Sequence, residues 1–255
     1  MFIDAHAHYE DEAFDADRVE IFEKIQKAGC EAVIDAAQDV KTAELILSMA
    51  EQYPFLYANI GVHPHCAALF KDEDMGEIEE MAKHPKCVAV GEIGLDYHYD
   101  FSPRDRQKQV FREHIRLARK ISKPVVVHDR EAHQDTLDIL QEEKADECGC
   151  LIHCYSGSRE MAKIIMKRDY YVSIGGAVTF KNARHIIEAL EVIPLERILL
   201  ETDCPYMTPV PYRGKRNDSE LIPFTAKKIA EIKSVSLDSV FEITRNNTKD
   251  FFGLK

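Results

Sequence analysis

Near the N-terminus, in "MFIDAHAHYE", His6 and His8 stand two residues apart directly after an apolar run. On a β-strand, residues i and i+2 face the same side, so both imidazoles would enter one space. Further ionisable residues fall where other apolar runs stop: His63, Glu92 and Asp96, His128 with Arg130, His153, and Glu201 with Asp203. Burying so many polar groups without partners would cost several kcal/mol apiece. A cation removes that cost, because carboxylates and neutral imidazoles are all Lewis bases. Six candidates, His6, His8, Glu92, His128, His153 and Asp203, exceed the three protein ligands usual for a catalytic zinc. With one bridging carboxylate they suit two ions about 4 Å apart. Nitrogen and oxygen donors without thiolate fit Mg, Mn, Zn or Co.

Such side chains, spread from position 6 to position 203, need elements that gather them. Eight runs rich in Val, Ile, Ala, Leu and Tyr read as strands: 2–8, 30–37, 56–64, 87–96, 124–130, 148–156, 170–176 and 198–205. Segments of helical period lie between them. Val19, Phe22 and Ile25 form one stripe, closed by Gly29. Val110, Phe111, His114, Ile115 and Ala118 form another. Ser158 and Asn182 are plausible helix caps, and the residues after 218 read as two more helices with Ser236 as a cap. Strand starts recur every 22 to 37 residues, the rhythm of parallel βαβ units. Eight units in 255 residues match a single (β/α)8 TIM barrel spanning 1–255, with no Pro/Gly/Ser-rich linker. A doubly wound open sheet shares the local pattern. In a barrel, the C-terminal strand ends meet on the face where active sites are built.

A formal charge of −12 argues against unspecific coating of nucleic acid, though not against a locally positive site. Seven cysteines, an odd number, without C-x2-C spacing, read as reduced thiols of a cytoplasmic protein. No signal peptide is expected ahead of a strand starting at residue 2, and no apolar run approaches the ~20 residues of a membrane span. A monomer without membrane contact is expected.

Six stretches, "DAHAH" at the start, "GVHPH" at 61–65, "GEIGLDY" at 91–97, "PVVVHDREA" at 124–132, "IHCYSG" at 152–157 and "ETDCPYMTPVPYRGKRN" at 201–217, resemble the TatD family of metal-dependent hydrolases, in order and over nearly the whole chain. The resemblance implies an amidohydrolase-like barrel and a divalent-metal-dependent deoxyribonuclease with 3′→5′ exonuclease activity. It also implies His6, His8, Glu92 and Asp203 around one ion, with Glu92 bridging to a second held by His128 and His153. One departure is Asn217-Asp218-Ser219, where the family pattern is Asn-x-Pro.

On this reading, water activated by the two ions attacks phosphorus. Asp203 serves as ligand and general base, and Glu201 and Asp96 orient ligating side chains. His63 would hydrogen-bond a phosphoryl oxygen. Arg130, at i+2 from His128, would take phosphate, unless it pairs with Asp96 or Glu201. The loop carrying Arg213, Lys215 and Arg216 would guide DNA or another phosphodiester substrate, bound transiently. Tyr97-His98-Tyr99 offers a place for a base to stack. The alternative is hydrolysis of a different bond, a D-aminoacyl-tRNA ester or a cyclic amide, on the same metals.

Overall fold

The computed structural model describes residues 1–254. In chain order the elements are β1 (Phe2–Ala7), α1 (Arg18–Lys27), β2 (Cys30–Ala36), α2 (Val40–Gln52), β3 (Leu56–Ile60), α3 (Met75–Ala82), β4 (Cys87–Asp96), α4 (Arg104–Ile121), β5 (Val125–Arg130), α5 (His133–Glu142), β6 (Cys150–Ile152), α6 (Arg159–Met166), β7 (Tyr171–Ile174), α7 (Arg184–Leu190), β8 (Ile198–Leu200), α8 (Ile222–Lys233) and α9 (Leu237–Phe252). The strands form one sheet in the order β1 to β8. The pairs β1–β2, β3–β4, β4–β5, β5–β6 and β7–β8 are parallel. This is the (β/α)8 barrel class that the βα rhythm predicts. Two compact units divide the chain: Met1–Asp35 with Cys154–Lys255, and Ala36–His153.

In the first unit, β1 is buried along its whole length. Its Phe2 ring stacks on Phe241 of α9, with centroids 5.8 Å apart. The Asn247 side chain of α9 donates to the carbonyls of Leu195 and Ile198, both at 2.8 Å, and so fixes the start of β8. Ser158 and Ser236 cap α6 and α9 as their sequence positions suggest. Asn182 does not cap α7, which begins one residue later than expected, after Ala183. In α1 the buried stripe is Ile21, Phe22 and Ile25, while Val19 lies half-exposed on the far side.

In the second unit all ten residues of β4 are buried, against Val125–Val127 of β5. Between Val90 and Ile93 the β4–β5 register slips: three steps in β4 oppose two in β5. An extra residue of this kind re-aims the side chains around it, here Glu92. Gly94 adopts φ +143, and a Cβ there would lie 2.0 Å from the His128 carbonyl oxygen. Only glycine allows β4 to run this close to the strand that carries His128.

Several strands end earlier than the apolar runs suggest. β3 stops at Ile60, before Pro64 starts a 3-10 turn. β6 and β8 stop at Ile152 and Leu200, and Cys154 and Asp203 then take left-handed φ values of 44° and 56° that no strand can continue. His8, His63, His153, Glu201 and Asp203 therefore stand on the first loop residues rather than on strands. All seven cysteines are free thiols. Among the described residues no helix is long and apolar enough to cross a membrane.

His114 lies fully buried on the inner face of α4, its Nδ1–H donating to the Val110 carbonyl at 2.8 Å. Burial lowers its pKa to about 4. The unfolded chain therefore binds a proton between about pH 6.5 and pH 4 that the native state refuses, so this residue withdraws stability as pH falls through that window. Urea titrations of wild type and His114→Leu at pH 7, 6 and 5 should show the variant losing less stability on acidification, by about 1 kcal/mol per unit. Parallel pH dependences would contradict this.

Candidate metal centre

In the first unit, β1 carries His6, and His8 is the first residue beyond the strand, past an irregularity between Asp4 and Ala7. His8 N–H donates to the Cys204 carbonyl at 2.9 Å, and Asp203 N–H to the His6 carbonyl at 3.0 Å, which seats the segment after β8 beside β1. Three donor atoms converge. His6 Nε2 and His8 Nε2 are 3.3 Å apart, and Asp203 Oδ1 lies 3.5 Å from the second and 3.9 Å from the first. Tetrahedral ligands at about 2.0–2.2 Å from a zinc-sized ion stand roughly 3.3–3.6 Å from one another, so the spacing suits one cation. His8 Nδ1 faces Glu10 Oε1 at 3.3 Å, a carboxylate that can hold the Nδ1–H tautomer and leave Nε2 to bind.

The second unit holds a tighter group. Glu92 Oε1 lies 2.7 Å from His128 Nδ1 and 2.6 Å from His153 Nε2, and those nitrogens are 3.3 Å apart. Glu92 is 2% exposed. The far nitrogen of His128, Nε2, meets Asp96 Oδ2 at 3.1 Å, again the imidazole–carboxylate pairing that turns the other nitrogen toward a metal. Asp96 also takes His65 Nε2 at 2.9 Å and the backbone N–H groups of His98 and Tyr99. Burial opposes its charge, but these hydrogen bonds prevail and hold its carboxyl well below the usual range. His128 is shifted the other way: its burial is outweighed by Asp96 and Glu92, which raise its pKa.

His63 differs from the rest. Its Nε2 is 3.6 Å from Glu92 Oε1, close enough to join a ligand set. Its Nδ1, however, accepts the His65 N–H at 3.1 Å, so the neutral ring carries its proton on Nε2. His63 is thus a hydrogen-bond donor rather than a Lewis base at this point. Both donor sets fit cations on this chemistry: each aims two imidazole nitrogens and a carboxylate oxygen at one point, with an orienting carboxylate behind.

A family model described as "TatD related DNase" matches residues 3–253. The chain belongs to this family. It is a metal-dependent hydrolase of the TatD type. It is 43% identical to the metal-dependent hydrolase YabD of Bacillus subtilis, covering 99% of each chain. It is 30% identical, over 94% of each chain, to a Rahnella protein named 3′-5′ ssDNA/RNA exonuclease TatD. Among solved structures, a TatD homologue of Escherichia coli, YJJV, superposes with a TM-score of 0.94 at 28% identity, covering 100% of this chain and 98% of that one.

The remaining expected residues of this TatD-type chain fall as follows. Glu201 is fully buried and accepts Ser173 Oγ–H at 2.5 Å. Arg130 is exposed, with its guanidinium 4.8 Å above the Tyr99 ring; among the described residues of its unit it forms no ion pair with Asp96. Arg213 stacks on Phe180 at 4.3 Å. Arg216 is engaged in a two-pronged pair with Asp17, which leaves Arg213 and Lys215 as the open charges of that loop. Tyr97 turns away, donating its hydroxyl to Asp135.

Two carboxylates carry weight that motif reading gave only to their neighbours. Asp4, two residues before His6 on β1, accepts Thr202 N–H at 3.0 Å, Thr202 Oγ–H at 2.6 Å and Ser219 Oγ–H at 2.6 Å. Burial still pushes its pKa up to about 7. Ser219 thereby ties the loop after β8 to β1, and Tyr9 completes the tie at 2.8 Å. Asp35 takes the Tyr9 N–H at 2.7 Å, and burial, reinforced by nearby Glu10, pushes its carboxyl well above the usual range. The signal available in sequence was Asp4 at i−2 from His6; Asp35 gave none.

Asp96→Asn keeps shape but weakens the acceptor behind His128, and Glu10→Gln does the same behind His8. Each should lower affinity for added Zn2+ or Mn2+ by about 10- to 100-fold, read by competition with a chelating dye. Unchanged affinities would remove these two carboxylates from the account.

Proposed function

We propose that this chain is a phosphodiesterase that removes nucleotides from the 3′ end of single-stranded DNA, with one divalent cation on His6, His8 and Asp203 and another on Glu92, His128 and His153. The observation that carries this reading is that each unit gathers two imidazole nitrogens and a carboxylate oxygen, His6, His8 and Asp203 in one and Glu92, His128 and His153 in the other, each set backed by a further carboxylate. The Rahnella relative's name and the family's description supply the phosphodiester substrate. The cations, when bound, supply water activation at neutral pH and neutralisation of charge on the phosphoryl group.

The chain's own groups divide the remaining work. His63 presents Nε2–H beside Glu92 and donates to a phosphoryl oxygen as charge develops there. Asp203 keeps 18% of its side chain open to solvent, accepts a proton from the attacking water and passes it to the leaving 3′-oxygen. Arg130, without an ion pair among the described residues, offers a guanidinium fork to phosphate. Arg213 and Lys215 offset the −12 formal charge where the strand approaches.

The test is cleavage of a 5′-labelled oligonucleotide beside an aminoacyl ester, with Mg2+, Mn2+ or Zn2+ added. A ladder of products shortened one nucleotide at a time from the 3′ end is expected; turnover of the ester alone would replace the nuclease reading with its rival. Glu92→Ala should lower kcat/KM at least about 10³-fold and reduce bound metal. Full activity in that variant would overturn the two-ion assignment. Arg213→Ala with Lys215→Ala should raise KM for DNA several-fold and flatten its salt dependence. An unchanged KM would confine that loop to a solvated surface.

A further inference from the structure

Immediately after β4 the second unit holds two large apolar side chains out in solvent. Tyr99 is 48% exposed and Phe101 66%. Single exposed apolar residues are ordinary, but these two are organised. Their rings stack with centroids 5.3 Å apart at an interplanar angle of 23°. Arg130 stands over Tyr99 at 4.8 Å, which puts three flat groups in contact. His65 meets Tyr99 and Phe101 edge-on, at 5.4 Å and 4.8 Å.

The loop that carries them is firmly held. Asp96 accepts the backbone N–H groups of His98 and Tyr99. Buried Ser102 donates to the His65 carbonyl at 2.8 Å and accepts the Ala68 N–H at 2.9 Å. Buried Gln107 donates to the carbonyls of Asp96 and Ser102. The fold thus fixes a flat apolar surface facing water, although exposing it brings no stability of its own.

That surface is also tied to the metal-binding side chains. The Asp96 carboxylate that seats Tyr99 also holds His128 and His65. The His65 ring lies 6.2 Å from His128 and 4.3 Å from His63, so His65 touches both the aromatic pair and the histidines around Glu92. A ligand with an anionic centre at that group and a flat ring reaching past His65 would meet the aromatic pair. A nucleotide has this form: a phosphate joined through a sugar to a base. Aromatic rings accept any base by stacking, and the guanidinium adds its own plane and charge.

We infer that Tyr99 and Phe101, backed by Arg130, form a stacking platform for a nucleobase next to the phosphate being cut, which makes this site selective for nucleic acid over simple phosphodiesters. The inference rests on the phosphodiesterase reading above and adds the element that would recognise a base. Tyr97, in the same sequence stretch, takes no part, because its hydroxyl is bonded to Asp135.

The experiment uses the metal-loaded full chain and two single-stranded oligonucleotides, one ordinary and one abasic at its last two 3′ positions. Wild type should show a kcat/KM about 5- to 100-fold higher for the ordinary strand, mostly through KM. Tyr99→Ala with Phe101→Ala should bring that ratio close to one, and Tyr99→Trp should keep it. Equal rates on both strands in wild type, or a ratio that survives the double substitution, would overturn the platform. So would a change of oligomeric state on gel filtration with the ratio intact, which would assign the aromatic pair to a protein contact. If wild type cuts neither strand, the nuclease reading fails by itself, and calorimetric binding of AMP against ribose 5-phosphate then decides the platform. Tighter binding of AMP that the double substitution abolishes upholds it; equal binding of the two ligands overturns it.

Discussion

Lone pairs buried face to face are the constraint on which this molecule turns. His6 and His8 place Nε2 atoms 3.3 Å apart, and His128 and His153 place nitrogens 3.3 Å apart beside the Glu92 carboxylate. Without a proton or a cation between them, such groups repel, and burial sharpens the repulsion because little water is present to screen it. A proton can relieve one pair at a time. A divalent cation relieves three donors at once, and the orienting carboxylates Glu10 and Asp96 stand where they hold imidazole rings for that task.

Much of the surrounding structure serves to bring those donors together. The close approach at Gly94 and the register slip before Ile93 present Glu92 and His128 to each other. Three residues beyond the end of β8, Asp203 takes a left-handed backbone conformation, and its carboxylate lies 3.5 Å from His8. The Asp4–Thr202–Ser219–Tyr9 network ties β1 to the segment that carries Asp203. A carboxyl as buried as Asp4 is costly, and its hydroxyl and amide donors offset that cost only in part, as its raised pKa shows. Ser219 supplies one of those donors and so adds a specific tie to this loop.

The βα rhythm was legible because strand and helix periods are local properties. The donor residues were legible because imidazoles and carboxylates at the ends of apolar runs are conspicuous. Strand ends were less so: whether β6 stops at Ile152 or runs on to Ser156 depends on where the backbone takes a positive φ, and apolar content does not report that. The tautomer of His63 was not readable at all, since it follows from one backbone N–H two residues on. Nor was Arg130 on Tyr99, where stacking on an aromatic face replaces the ion pairs its position had suggested. Asp4 stood in plain view inside "DAHAH", but its partners come from positions 202 and 219, and only the fold brings them near.

Anomalous diffraction from crystals soaked in Mn2+ tests the central claim most directly. The account predicts one peak in contact with His6, His8 and Asp203 and another in contact with Glu92, His128 and His153. Crystals that bind Mn2+ only elsewhere, with those side chains hydrogen-bonded to one another as they are here, would contradict it.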